Sequence, residues 1–293
     1  MDAYLPRTLE EALELRAAHP EATPIAGGTD VMVALNFDLA RPEGLLDVSR
    51  VPELAAWHER DGEVLLGAGV TYARILRDLP QVRALAEASR SVGSPQIRNR
   101  GTVGGNLGTA SPAGDALPVL AVHDAEIGLV AAGGRERWLP WSEFVVGVKR
   151  NELADDELIL GARWRTLAGP QSFSKIGTRN AMVISVAALC FAMDVPSRTV
   201  RVALGSVAPT VVRATDAETY LVDELERAGA WDDLDAPLGA DVAEGFAERV
   251  TAAASPIDDI RGSAAYRRHA IGVLARRALG WANEQRGQEA RVS

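Results

Sequence analysis

Two glycine-rich segments contain the residue types best suited to hold a phosphate. The first, residues 26–30, has the sequence Ala-Gly-Gly-Thr-Asp and lies between a predicted strand and a predicted helix. The second, residues 98–106, ends in Gly-Thr-Val-Gly-Gly-Asn. Paired glycines let a ligand approach the backbone closely, and they let successive N–H groups point into one anion-binding concavity. Side chains at Thr29, Thr102 and Asn106 add further hydrogen-bond donors.

Neither segment fits the common nucleotide-binding motifs. The closest approach to a Rossmann fingerprint begins at Gly67 and Gly69, but Tyr72 stands where the third glycine is required. A Walker sequence requires a lysine after a glycine, and neither Lys149 nor Lys175 follows one. Because a single Gly-Gly pair is typical of an ordinary tight turn, the phosphate hypothesis depends on the chain having two such loops. A nucleotide bound here would occupy neither a Rossmann site nor a P-loop.

Other polar residues have structural explanations as well as functional ones. Asp115 precedes an apolar run, so it is predicted either to cap a helix or to accept hydrogen bonds from ribose hydroxyls or a flavin edge. Lys175 is a candidate contact for a cofactor or a partner, and a solvated surface lysine is the alternative. The four histidines are scattered through unrelated segments, and we predict no metal site. Cys190 stands in an apolar run and is predicted to lie in the core.

The elements that position these residues divide the chain into three predicted regions, residues 1–55, 56–168 and 169–293. The third region places its strands before its helices, which is typical of an α+β fold. Residues 93–114 contain six glycines and two prolines, and we predict a long loop there, of the kind that is functional or disordered.

Composition indicates a soluble globular protein and limits its class. The 293 residues are 47% hydrophobic and carry a net charge of −9, which argues against nucleic-acid binding. A single cysteine excludes disulfides and four-cysteine iron–sulfur clusters held by this chain alone. The N-terminal residues lack the pattern of a secretory signal, and the most apolar stretch, residues 183–193, is too short to span a membrane. We therefore expect a cytoplasmic protein without a membrane span.

Taken together, these segments resemble the FAD-binding subunit of the molybdenum hydroxylases, the group of xanthine dehydrogenase and carbon monoxide dehydrogenase. The similarity extends over nearly the whole chain, which makes it more specific than any single glycine pair. It is carried by residues 24–30, 96–106, 110–115, 173–176 and 257–267, of which the last two resemble signatures of the family's C-terminal domain.

The resemblance implies an α+β fold with two subdomains that enclose FAD, as in the vanillyl-alcohol oxidase superfamily, followed by a small C-terminal α+β domain. It also implies that the two glycine segments approach the pyrophosphate from opposite sides, with Val103 near the isoalloxazine. The predicted FAD-binding residues are Ile25, Ala26, Gly27, Gly28, Thr29, Asp30, Thr102, Val103, Gly104, Gly105, Asn106, Thr109, Ser111, Asp115 and Lys175. An acidic protein must bind a pyrophosphate locally, through N–H groups that each contribute roughly 1.5–3 kcal/mol.

Function and partners follow from the same resemblance. In the family, electrons leave a substrate at a molybdenum centre, pass through two [2Fe–2S] clusters and reach FAD, which reduces NAD or another acceptor. The implied partners are a molybdenum-cofactor subunit and a [2Fe–2S] subunit of a heteromeric complex. We name no catalytic acid or base in this chain, because the cofactor supplies the redox chemistry.

Two alternatives remain open on the sequence. A stand-alone flavin reductase or oxidase on the same fold would need a substrate pocket and a proton donor, and no residue pattern indicates either. A flavin-free interaction subunit would have lost FAD, but the glycines of both segments are intact.

Overall fold

The computed structural model describes residues 1–236 and 238–290 and divides the chain into two compact units. Unit 1 comprises Met1–Pro80, Val92–Ser111 and Asp124–Arg165. Unit 2 comprises Gln81–Ser91, Pro112–His123 and the chain from Thr166 onward. This division is discontinuous, since unit 2 takes two segments from the predicted region 56–168. The boundaries predicted at residues 55 and 168 stay predictions.

Helices and strands are distributed over both halves of the chain, with five consecutive helices between residues 72 and 122. The helices are α1 (Leu9–Ala18), α2 (Val31–Asn36), α3 (Tyr72–Asp78), α4 (Arg83–Ser91), α5 (Pro95–Arg98), α6 (Val103–Thr109), α7 (Ala116–Val122), α8 (Trp141–Phe144), α9 (Thr215–Arg227), α10 (Ala240–Ala252) and α11 (Ala264–Ala290). The strands are β1 (Asp2–Tyr4), β2 (Ala22–Ile25), β3 (Gly44–Asp47), β4 (Trp57–Arg60), β5 (Glu63–Gly67), β6 (Glu126–Ala131), β7 (Arg135–Pro140), β8 (Val145–Gly147), β9 (Arg150–Asn151), β10 (Glu157–Arg165), β11 (Gln171–Ile176), β12 (Ala187–Asp194), β13 (Thr199–Gly205) and β14 (Val212–Arg213).

Unit 1 contains two sheets and a hairpin. A parallel sheet has the order β1-β3-β2, and an antiparallel sheet has the order β4-β5-β10-β6-β7. Strands β8 and β9 form the separate hairpin. Helix α1 packs against β10 and β6, with Ala12 and Leu13 in the core beneath it. The Thr-x-x-Glu pattern at residues 8–11 predicts a helix start capped by Thr8. The structure confirms it, because the Thr8 hydroxyl accepts a hydrogen bond from the N–H of Glu11 at 3.2 Å.

The prediction of one long loop over residues 93–114 is wrong, because two helices form within it. Ser94 caps α5 by accepting from the N–H of Ile97, and Pro95 supplies a suitable first helical residue. Thr102 caps α6 by accepting from the N–H of Gly105 at 2.9 Å. Helix α6 ends at Ala110, which adopts a left-handed conformation with φ of +45°. Capping and tertiary contacts therefore outweigh the low helix propensity of its glycines.

Unit 2 is a four-stranded antiparallel sheet with the order β11-β12-β13-β14, packed against helices. Alternate residues of the central strand β12, including Leu189 and Phe191, join the core formed with α9, α10 and α11. Cys190 is completely buried in this strand, as predicted, and burial raises the pKa of its thiol. The mixed arrangement of strands and helices confirms the predicted α+β class. None of the helices in the described ranges combines the length and apolar composition needed to cross a membrane.

Candidate functional site

The first glycine loop, residues 26–30, presents backbone amides that have no partner in the fold. It connects β2 to α2, and within the described residues the N–H groups of Gly27, Gly28, Thr29 and Asp30 have no protein acceptor. Gly28 has a left-handed φ of +75°, and a turn follows it. Successive amides in this type of conformation form a nest that binds anions. The loop is half-buried, with Asp30 exposed, so a ligand can reach it.

The second glycine loop, residues 98–106, lies directly against the first. A Cβ atom placed on Gly27 would overlap the carbonyl group of Arg100 and would lie 2.9 Å from the nitrogen of Gly101. Any side chain at residue 27 would therefore push the two loops apart. The hydroxyl of Thr109, at the end of α6, also donates to a carboxylate oxygen of Asp30 at 3.0 Å. The structure thus brings together residues from both segments that the sequence analysis identified.

The amides of the two paired glycines in the second loop are used inside the protein. The N–H of Gly104 donates to the carbonyl oxygen of Ala68 at 3.0 Å, and the N–H of Gly105 donates to the hydroxyl of Thr102. A Cβ atom on Gly104 would lie 2.5 Å from both the Cβ and the carbonyl oxygen of Ala68. In this conformation, therefore, Gly104 and Gly105 permit close packing of α6 and do not offer the phosphate donors that the sequence pattern suggested.

The remaining predicted residues of unit 1 lie around α6. Val103 is only 1% exposed, so its side chain packs within the protein, and its predicted contact with an isoalloxazine stays a prediction that burial does not favour. Its N–H has no acceptor within the described ranges and provides one more backbone donor. Asn106 and Ser111 are half-buried.

A residue missed by the sequence analysis holds the other end of α6. The carboxamide nitrogen of Asn151, on β9, donates to the carbonyl oxygens of Leu107 at 3.2 Å and Gly108 at 2.9 Å. In the same hairpin, the N–H of Lys149 donates to the carbonyl oxygen of Ala110 at 3.0 Å. No local sequence signal could have found these contacts, because about forty residues separate the partners.

Unit 2 contains a separate polar cluster around the buried carboxylate of Asp115. Its oxygens accept hydrogen bonds from the ammonium of Lys175 at 2.5 Å and from the hydroxyl of Ser185 at 2.6 Å. The hydroxyl of Ser91 lies 3.4 Å away. Asp115 stands at the N-cap position of α7, as predicted, but its side chain makes no capping bond to the helix. The interpretation of Lys175 as a solvated lysine is wrong, because its side chain is 10% exposed and paired.

These two arrangements have different chemical capacities. In unit 1, the four amides of the first loop provide neutral donors for a pyrophosphate, and α6 packs beside them. This fits the phosphate-bearing part of FAD, the cofactor implied by the sequence resemblance. In unit 2, the ion pair is already satisfied by protein groups, and a cofactor role for Asp115 and Lys175 stays a prediction. Within the described ranges, no group of three or more metal-ligating side chains could hold a metal ion.

Comparison with protein families identifies two matching regions. Residues 1–163 match a family described as the FAD binding domain in molybdopterin dehydrogenase. Residues 172–282 match a family described as the CO dehydrogenase flavoprotein C-terminal domain.

Individual proteins show the same similarity over most of the chain. A xanthine dehydrogenase FAD-binding subunit of Escherichia coli O157:H7 is 28% identical, covering 93% of this chain and 92% of that protein. A nicotinate dehydrogenase FAD-subunit of Eubacterium barkeri is 34% identical over 62% of this chain and 65% of its own length. Among solved structures, a chain of carbon monoxide dehydrogenase from Hydrogenophaga pseudoflava superposes with a TM-score of 0.86 at 27% identity, covering 97% of this chain and 98% of the other.

Proposed function

This chain belongs to the family of FAD-binding domains in molybdopterin dehydrogenases, and from that premise we propose that it passes electrons from [2Fe–2S] clusters of a partner subunit to NAD or another acceptor. It is an oxidoreductase component, the FAD-binding subunit of a molybdenum hydroxylase. The alternatives of a stand-alone flavin enzyme and of a flavin-free module are disfavoured, because the relatives are named as subunits that bind FAD.

The observation that carries the proposal is the run of four unsatisfied amides at residues 27–30. Unpaired N–H groups are costly unless water or a ligand satisfies them, and a pyrophosphate offers oxygens with full negative charge. In the proposal, these amides bind the pyrophosphate, and the contact between Gly27 and the second loop keeps the nest closed on one side. Bound FAD would supply the electron-carrying chemistry, and the chain would bind and orient it.

The other predicted FAD contacts, at residues 109, 111, 115 and 175, are further parts of the proposal. Thr109 holds the carboxylate of Asp30, so it acts on the first loop whether or not it touches FAD. Ser111, Asp115 and Lys175 retain their predicted contacts with the cofactor. The proposed partners are a molybdenum-cofactor subunit and a [2Fe–2S] subunit, which would supply the electrons that this chain receives.

The first experiment is a visible absorption spectrum of the purified chain, alone and after co-expression with the products of neighbouring genes. We expect a flavin spectrum, and we expect chromatography of the heat-released chromophore to identify FAD. A colourless chain that neither binds added FAD nor gains it with its partners would refute the proposal.

A second experiment tests the electron acceptor. The assembled complex would be reduced anaerobically by its oxidisable substrate and then mixed with NAD. Formation of NADH, followed at 340 nm, is the expected result if NAD is the acceptor. If the flavin stays reduced with NAD but is reoxidised by oxygen or a quinone, that oxidant is the electron acceptor instead.

A further inference from the structure

The carboxamide of Asn151 is fully used in one arrangement. Its nitrogen donates to the carbonyl oxygens of Leu107 and Gly108, and its oxygen accepts from the N–H of Leu153 at 3.1 Å. Because carbonyl oxygens face one side and an N–H faces the other, the two ends of the amide cannot be exchanged without losing all three bonds. Asn151 therefore joins β9 to the last turn of α6 in a defined orientation.

Helix α6 depends on such outside contacts for its position. Its seven residues, Val-Gly-Gly-Asn-Leu-Gly-Thr, include three glycines, each of which disfavours a helix by about 1 kcal/mol relative to alanine. The carbonyl groups of a helix's last turn also lack partners within the helix. Asn151 donates to the carbonyl of Gly108 and to that of Leu107, which also accepts from the N–H of Ala110, and the N–H of Lys149 donates to the carbonyl of Ala110.

The same turn of α6 controls the first glycine loop. Thr109 directly follows Gly108, and its hydroxyl donates to the carboxylate of Asp30. Asp30 is the last of the four residues whose amides have no acceptor within the described ranges. A continuous set of bonds therefore leads from the Asn151 carboxamide, through residues 107–109, to the amide nest at residues 27–30.

We propose that Asn151 is a positioning residue for the cofactor: by fixing the end of α6, it fixes Thr109 and thereby the orientation of the amide nest. The proposal rests on the proposed function, since it concerns the same FAD site. In this proposal Asn151 does not itself touch FAD.

The test compares three variants of the full-length chain. Asn151→Ala removes both donated hydrogen bonds, and Asn151→Asp keeps the side-chain shape but places carboxylate oxygens against two carbonyl oxygens. Lys149→Ala is the matched control, because its exposed side chain is lost while its backbone bond to Ala110 is retained. Flavin fluorescence quenching gives the dissociation constant for FAD, and thermal unfolding gives the midpoint with and without FAD.

We expect the dissociation constant for FAD to rise about tenfold in Asn151→Ala, which loses the two donated hydrogen bonds and the one accepted from Leu153, and further in Asn151→Asp. The increase in unfolding midpoint caused by FAD should shrink in both variants, whereas Lys149→Ala should behave as the unchanged protein. If Asn151 had a merely structural role, the midpoint without FAD would fall and the increase caused by FAD would be preserved, which overturns the proposal.

A double-mutant cycle with Thr109→Val tests the route. If the effect of Asn151 passes through Thr109, the two losses of FAD affinity should overlap, and the double variant should be little worse than either single one. Additive losses would overturn this route. Failure of the proposed function gives a different result, because the unchanged protein would then bind no FAD at all.

Discussion

The two glycine loops share a composition but use it in different ways. In the first, residues 26–30, four backbone amides have no acceptor within the described residues, and Gly28 adopts a left-handed φ. In the second, residues 98–106, the amides of Gly104 and Gly105 are already bonded within the protein. Glycine therefore allows a row of open backbone donors in the first loop and close packing of the backbone in the second.

Because of this difference, substitutions in the two loops should affect FAD affinity and folding stability to different degrees. An open amide nest costs stability until a ligand satisfies it, so changes there should be felt mainly when FAD binds. A glycine packed against backbone atoms has no room to adjust, so changes there should be felt with or without FAD. The predictions below test whether the two loops can be distinguished in this way.

The largest effect is expected for Gly104→Ala. The added Cβ would lie 2.5 Å from two atoms of Ala68, one of them a backbone carbonyl oxygen, so α6 must shift. We expect the free energy of unfolding to fall by about 3 kcal/mol, at the upper end of the usual cost of overpacking. Denaturant unfolding of the protein without FAD measures this. Gly105→Ala is the control, because the nearest contact of its Cβ is the Thr102 hydroxyl at 3.3 Å. Equal stability of the two variants would contradict the packing role of Gly104.

The next effect concerns Gly27→Ala and should appear in FAD binding. The new Cβ would overlap the carbonyl group of Arg100 and force the half-buried first loop away from the second. Loss of one or two bonds to charged oxygens would weaken FAD binding roughly thirtyfold. Because the overlap is with backbone atoms, the unfolding midpoint without FAD should fall as well, and fluorescence titration well below that midpoint measures the affinity. An affinity equal to that of the unchanged protein would contradict the role of the first loop in binding FAD.

Some parts of this site could be predicted from the sequence and others could not, for physical reasons. Both loops could be identified from their glycines, and the cap at Thr8 from a local pattern that the structure confirms. Helix α6 could not be predicted, because three of its seven residues are glycines and its position depends on Ala68 and Asn151. Local patterns indicate which residues can adopt a conformation, but they do not indicate which distant partner selects it.

The buried cluster in unit 2 shows the same limit. A capping role for Asp115 was a sound local prediction, since the residue stands immediately before a helix. Its actual donors, Lys175 and Ser185, are 60 and 70 residues away in the chain. These donors occupy both carboxylate oxygens, and the side chain makes no capping bond to the helix. Tertiary pairing has overridden the local preference.

A smaller effect is expected for Gly28→Ala. The space beside residue 28 is adequate, since a Cβ would make ordinary contacts with Ile25 and Met32 at 3.4 Å. The cost comes instead from the φ of +75°, which disfavours residues with a Cβ by about 1 kcal/mol and should weaken FAD binding about fivefold. Gly28→Asn is the matched variant, because asparagine tolerates this conformation better than alanine. Titration should give the highest FAD affinity with glycine at residue 28, a lower one with asparagine and the lowest with alanine. Any other order would mean that FAD binding does not depend on the left-handed conformation of residue 28.

The smallest effect should be that of ionic strength. If neutral amides bind the pyrophosphate, the attraction depends on short hydrogen bonds to local dipoles, which dissolved salt screens weakly. We expect the dissociation constant for FAD to change by less than about twofold as sodium chloride rises from about 0.05 to 0.5 M. The exposed Arg100, whose backbone meets Gly27, is the nearest candidate for a charged contribution, and Arg100→Gln should remove any residual dependence. A steep salt dependence that survives this substitution would show that other cationic side chains bind the phosphate. In that case the open amides of the first loop would not be the main phosphate-binding groups, and the two loops would differ only in how their glycines pack.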